Sequence, residues 1–172
     1  MEKLSPLQIE RLKYQPKLPS SLADGINSLE LVEGSSTQSV RDQEQISQLF
    51  KNTYGKPVVT FKTSGSSSQS EVRNVGVILS GGQAPGGHNV IAGLYDALKS
   101  ANSQNKLYGF LGGPSGIIDG KYIEFTDEFI DQYRNTGGFD IIGSGRTKLE
   151  TEDQFQESLK VRSEEHTSEL QS

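Results

Sequence analysis

Apolar and polar positions follow two rhythms along this chain. Val75, Val77, Ile78 and Leu79 cluster as in a short strand, and Val90, Ile91, Leu94, Leu98 and Ala101 then recur at helical spacing, predicting a helix over 89–102. Leu107–Phe110 predicts a second strand, and Ile117–Ile118 with Tyr122–Phe125 a pair of short strands. Asp127 and Glu128 open an acidic first turn for a helix carrying Phe129, Ile130 and Tyr133. Phe139–Ile142 predicts a third strand in the sheet direction, and Thr151 with Gln154 forms a capping box that starts a helix at Glu152. Strands alternating with helices predict an α/β domain built on an open, mostly parallel sheet.

The N-terminal arm has a different texture. Ser5 can cap a helix, Pro6 suits its first position, and Gln8 completes a capping box. Leu4 and Ile9 stand at hydrophobic-staple positions, and Pro16 and Pro19 end the helix. A second helix is expected over 41–53, with Ile46, Leu49 and Phe50 on one side and Gly55 as its stop. Val58–Phe61 is a short strand candidate, and the serine-rich run from Thr63 to Ser70 reads as a loop. The expected organisation is therefore a mainly helical extension over 1–62, a linker over 63–71, an α/β body over 72–161, and a separate tail over 162–172.

Composition narrows the class. The chain has 172 residues, a net charge of −5 and no basic run, which argues against nucleic acid as the main partner. It has no cysteine, so neither a disulfide framework nor a thiolate metal site can form. No segment has signal-peptide character or approaches a membrane span, so a cytoplasmic location is expected. Fifteen of the 19 glycines lie within 72–160, mostly just after strand candidates, where ligands bind in open α/β sheets.

The most informative stretch is VGVILSGGQAPGGHN, Val75–Asn89: a strand, four glycines with Pro85, then a helix. Such a turn keeps side chains away from a ligand, and the helix behind it offers free N–H groups and a positive dipole end. The expected ligand is a phosphate. It is not a P-loop, because His88 and Asn89 stand where Lys and Ser or Thr are required. Nor do Gly81, Gly82, Gly86 and Gly87 have the dinucleotide spacing.

This loop resembles the first glycine loop of the phosphofructokinases, in particular the long, pyrophosphate-dependent form. LYGFLGGPSGI (Leu107–Ile117), KYIEFT (Lys121–Thr126), YRNTGGFDIIGSGRTK (Tyr133–Lys148) and ETEDQF (Glu150–Phe155) match further family segments in order, and YQPKLP (Tyr14–Pro19) is similar to the long form's extension. The resemblance covers roughly Val72 to Lys160. It implies a partial Rossmann-like, three-layer domain and phosphoryl transfer from pyrophosphate to fructose 6-phosphate in a full-length homo-oligomeric parent, using Mg2+. It also implies that Gly81 and Gly82 bind the donor through backbone N–H groups and that Arg146 reaches the donor phosphates. A guanidinium suits that task, since its rigid fork of donors stays charged at working pH. The competing account of Arg146 is a solvated arginine near a helix start, but its place after a strand in GSGRTK favours the site.

Lys148 is a weaker candidate and is expected to be solvated. His88 is expected to be a hydrogen-bonded structural histidine. Gly112, Gly113 and Gly116 resemble the second family loop. Asp119, Asp127, Glu128 and Asp131 are read as solvated acids, not a metal cluster. The family's magnesium aspartate (a GGD-type string), its catalytic base (TID) and its sugar-phosphate arginines belong to later segments, and neither string occurs here. No catalytic residue is therefore assigned, and this chain alone is expected to be inactive. Two other readings stand beside this one: a non-catalytic regulatory subunit of the same family, and an unrelated Rossmann-like anion- or nucleotide-binding module. The final residues, RSEEHTSELQS, resemble the translation of a sequencing adapter, so native sequence is expected to stop near Lys160 or Val161 and His166 has no role.

Overall fold

A computed structural model of the chain describes residues 4–66 and 70–167, with side chains described up to Ser163 at the C-terminal end. It divides into two compact units, one comprising Met1–Lys17 and Ser70–Ser172 and the other Leu18–Gln69. Helix α1 (Pro6–Lys13) thus belongs with the α/β unit, although composition grouped it with the extension. The reason is long-range: the Asn135 amide donates to the carbonyls of Arg11 and Tyr14 at 2.8 and 3.1 Å, capping the end of α1. The α1 start is as read, with the Gln8 N–H on the Ser5 hydroxyl and the Ser5 N–H on the Gln8 side chain.

The smaller unit is not mainly helical. Strand β1 (Leu29–Ser36) pairs antiparallel with β2 (Pro57–Thr63), in a register that sets Leu31 opposite Phe61. Between them, α2 spans only Gln43–Leu49. The sequence reading missed β1 because its glycine and serines mask a strand stabilised by its partner, a dependence typical of β structure. Strand β2 also runs one residue into the expected linker, of which residues 67–69 lie outside the described residues.

In the larger unit, β3 (Asn74–Val77) pairs parallel with β4 (Lys106–Phe110), and β4 pairs antiparallel with β5 (Tyr122–Glu124). The fold is α/β, but this three-stranded sheet is mixed, not mostly parallel. The cause is a tight return: residues 114–118 form a short helix, α4 (Pro114–Ile118), and Lys121 follows within hydrogen-bond reach of Leu111 and Gly116. Ile117 and Ile118 are therefore helical, not extended, because Pro114 after Gly113 starts a helix. The expected strand at Phe139–Ile142 is likewise absent; its segment contributes one parallel bridge, Ser80 to Gly145, three residues later.

Helix α3 (Gly87–Ala101) buries Ile91, Ala92 and Tyr95 against the core, whereas Val90, one step off that stripe, stays exposed. Helix α5 (Asp127–Tyr133) is capped by the Thr126 hydroxyl and contributes Ile130. With Leu107, Phe125, Ile141 and Ile142 these residues form the core. Each fully buried aliphatic side chain there contributes about 2–3 kcal/mol. Buried Asn105 fastens the rear of the unit, accepting from the Arg73 N–H at 2.7 Å and donating to the Leu98 carbonyl at 2.9 Å. On the outer side, Arg134 grips Asp96 of α3 through two hydrogen bonds of 2.6 and 3.1 Å.

The Thr151–Gln154 box starts α6 (Glu152–Thr167) as read. The backbone of the expected tail continues α6 to Thr167, while residues 168–172 and the side chain of His166 lie outside the described residues. No helix among the described residues is long and apolar enough to cross a membrane.

Candidate functional site

Three glycine-containing segments converge beyond the ends of β3 and β4. The first follows β3 at Ser80–Gly82, the second follows β4 at Gly112–Gly113, and the third is Gly143–Arg146. The Gly145 carbonyl accepts the Gly81 N–H at 2.8 Å, and the Gly112 N–H reaches the Ile142 carbonyl at 2.8 Å. The second and third segments lie backbone to backbone: a methyl group on Gly113 would overlap the Gly145 amide, and one on Gly145 the Gly112 carbonyl. Glycine is required by contact at both positions.

Gly81 has a different requirement. Its φ of +104° is disfavoured for L side chains, although nothing lies within 4 Å of where a Cβ would stand. Gly81 is therefore a bend, and its N–H is already committed to Gly145. The N–H groups of Gly82, Gln83 and Ala84 come next, and among the described residues none has an acceptor. Beside them lies Arg146: a methyl group built on Gly82 would stand 3.0 Å from Arg146 Nη2. Arg146 is exposed, and among the described residues no carboxylate pairs with it. The fold thus brings Gly81, Gly82 and Arg146 together across 64 positions of sequence. The result is an open surface with three free amides and an uncommitted guanidinium, a donor set suited to an anion.

The start of α3 is partly taken up by protein backbone. The Gly86 N–H donates to the Gly137 carbonyl at 2.8 Å and the His88 N–H to the Gly138 carbonyl at 2.9 Å. Protein carbonyls thus take two N–H groups at the helix start, those of Gly86 and His88, and the unbonded amides of Gly82, Gln83 and Ala84 lie just upstream in the loop. The sequence suggested neither Gly137 nor Gly138 as the cover, because their approach is tertiary.

His88 is 4% exposed and fully engaged. Its Nδ1 lies 2.6 Å from the Thr136 hydroxyl, which itself donates to the Tyr133 carbonyl, so Nδ1 carries the hydrogen and donates. Nε2 is then an acceptor, facing the N–H groups of Asp140 at 3.0 Å and Ile141 at 3.1 Å. Asp140 Oδ1 also approaches Nε2 to 2.8 Å, an ion pair only for a charged ring. The two amides are fixed by backbone while the carboxylate is largely in water, so the acceptor role governs. His88 is structural, as its sequence context suggested.

Lys148 is exposed, with its Nζ 3.7 Å from the Glu150 carboxylate. Three of the four acids considered for a metal have other partners: Asp119 faces Lys121 at 3.2 Å, Asp131 faces Arg134 at 2.9 Å, and Asp127 accepts from the Tyr95 hydroxyl at 2.9 Å. Among the described residues no group of three His, Asp or Glu side chains could hold a metal ion. The described residues do not fit Mg2+.

Known proteins carry the same segment. The chain is 52% identical over 157 residues to a pyrophosphate–fructose 6-phosphate 1-phosphotransferase of Porphyromonas gingivalis, which covers 91% of this chain and 28% of that protein. The chain is homologous to a segment of the pyrophosphate-dependent phosphofructokinases. A phosphotransferase of the same name from Entamoeba histolytica is 50% identical over 91% of this chain and 29% of its own length. A beta subunit from Solanum tuberosum is 44% identical over 90% of the chain and 27% of its own length. The chain thus spans a little over a quarter of the length of these curated relatives. No family model matches it.

Proposed function

We propose that this chain supplies the donor-phosphate site of a pyrophosphate-dependent phosphofructokinase. In that reaction the 1-hydroxyl oxygen of fructose 6-phosphate forms a bond to the terminal phosphorus of pyrophosphate. The bridging P–O bond and the hydroxyl O–H bond break, the leaving orthophosphate takes up a proton, and fructose 1,6-bisphosphate results; the step is reversible. The observation that carries this reading is the uncommitted Arg146 guanidinium beside Gly82, next to three amides without acceptors. The amides hold phosphate oxygens without side-chain reorganisation, and the guanidinium offsets charge on the transferring group. Gly81 sets the bend that aims them. Mg2+ is expected to act in the complete enzyme through ligands that the described residues do not supply. The complete enzyme is expected to be a cytoplasmic homo-oligomer.

Neither a GGD nor a TID string occurs in the chain, so it is expected to bind the donor without turning it over. Isothermal titration of the 172-residue protein with pyrophosphate, ATP and NAD tests the reading. Pyrophosphate should bind and NAD should not. Binding of the dinucleotide with no response to pyrophosphate would overturn it, and turnover by this chain would overturn the expectation of inactivity.

A further inference from the structure

The glycine loop is gripped at both ends by one stretch of chain. At its start, Gly81 donates to Gly145; at its finish, Gly86 donates to Gly137 and His88 to Gly138. The Asn89 side chain adds a contact, accepting from the Gly137 N–H at 3.3 Å. Among the described residues, Gly82–Pro85 have no backbone hydrogen bond between the two grips, and these include the candidate anion donors. The geometry of that site therefore depends on how firmly 136–146 is held.

We propose that His88 is the positioning residue that holds this stretch, and through it sets Arg146 against Gly82. The proposal rests on the donor-site reading above. The imidazole spans from Thr136 on one side to Asp140 and Ile141 on the other, so a single rigid ring fixes both ends of a turn that contains Gly137 and Gly138. The fit is close. A methyl group on Gly138 would overlap the His88 ring, and Tyr133 packs edge-on against it at 4.9 Å between centroids. Ile142, next along, accepts from Gly112, and Gly145 and Arg146 follow. Asp140 and Tyr133 are the titratable groups facing the ring, and neither substitutes for its acceptor nitrogen. His88 itself touches no donor-site amide, so its influence is exerted through the backbone it fastens.

The test uses the full 172-residue chain with three variants: H88L, H88Q and T136V. Glutamine can present an acceptor near the place of Nε2, whereas leucine fills the space without one. Isothermal titration with pyrophosphate is paired with amide hydrogen exchange at Gly81 and Gly145. H88L should weaken binding about tenfold, the equivalent of one well-made hydrogen bond, and should lose protection at both amides. H88Q should restore both to within about threefold of the original chain, a rescue that a mere space-filling role would not give. If H88L fails to fold, T136V, which removes only the partner of Nδ1, should show a weaker loss in the same direction. No binding by the original chain would overturn the donor reading and this proposal with it. Unchanged affinity in both folded H88L and T136V, with the original chain binding normally, would overturn this proposal alone, as would H88Q behaving like H88L.

Discussion

Replacing Gly145 with alanine would place a methyl group against the Gly112 carbonyl oxygen, with the Gly112 carbonyl carbon 3.3 Å and Gly113 Cα 3.7 Å away. The overlapping carbonyl is backbone, so relief requires the second and third segments to separate. Forced insertion of this kind costs about 1–3 kcal/mol. Separation would also strain the Gly145 N–H bond to the Leu79 carbonyl at 3.3 Å and the Gly81 N–H bond to Gly145 at 2.8 Å. Each such bond contributes about 1 kcal/mol net, which brings the expected loss to about 3–5 kcal/mol. A domain's whole stability is about 5–15 kcal/mol, so G145A should be close to unfolding. G82A is the control. Its methyl would meet only Arg146 Nη2 at 3.0 Å, the far end of a flexible side chain, so its cost should stay within about 0.5 kcal/mol. Urea unfolding followed by circular dichroism measures both. A G145A protein within about 0.5 kcal/mol of the original would refute the reasoning that these backbones are in contact.

Three further outcomes are expected. R146Q should leave the melt unchanged but weaken pyrophosphate binding by about 2–3 kcal/mol, roughly 30- to 150-fold, and titration at rising salt should show the difference shrinking. G81A, which meets no neighbour but must hold a φ of +104°, should cost about 1–2 kcal/mol in urea unfolding and weaken pyrophosphate binding as well. Tyr95 tests the α3–α5 contact by pH. Burial first, then the hydrogen bond to Asp127 and the nearby charges of Asp127, Glu128 and Asp96, push its hydroxyl up from 10.0 to about 12. The folded state thus keeps a proton that the unfolded chain releases, so this stabilisation is complete below pH 10 and is lost as pH rises through about 12. Y95F should cost about 1–2 kcal/mol at neutral pH and flatten that alkaline decline, as measured by unfolding across the range; an unchanged decline would count against the Tyr95 assignment.

Where the reading from sequence succeeded, the interactions were short in sequence. The boxes at Ser5–Gln8 and Thr151–Gln154 each join residues three apart, so their formation hardly depends on the rest of the fold. The start of β3 and the extent of β4 followed from compact apolar runs. Where it failed, a distant partner decided the outcome: β1 exists because β2 lies beside it, and Phe139–Ile142 is held out of a ladder by His88 and Gly112 instead of entering one. The site divides the same way. Gly82 and Arg146 were recognisable as residue types in a motif, but whether the Gly81 and His88 amides were free depended on which carbonyls approached them.

The amino-acid order therefore determined the local grammar of this protein: helix starts, apolar faces, and a glycine bend after a strand. Those features arise from φ preferences and contacts within a turn or two, and they survive whatever the rest of the chain does. Tertiary structure alone decided which amides remained unbonded, that Gly113 and Gly145 stand backbone to backbone, and that a guanidinium 64 positions downstream lies beside Gly82. A hydrogen-bond donor has one proton to give, and only the folded arrangement determines whether protein or ligand receives it.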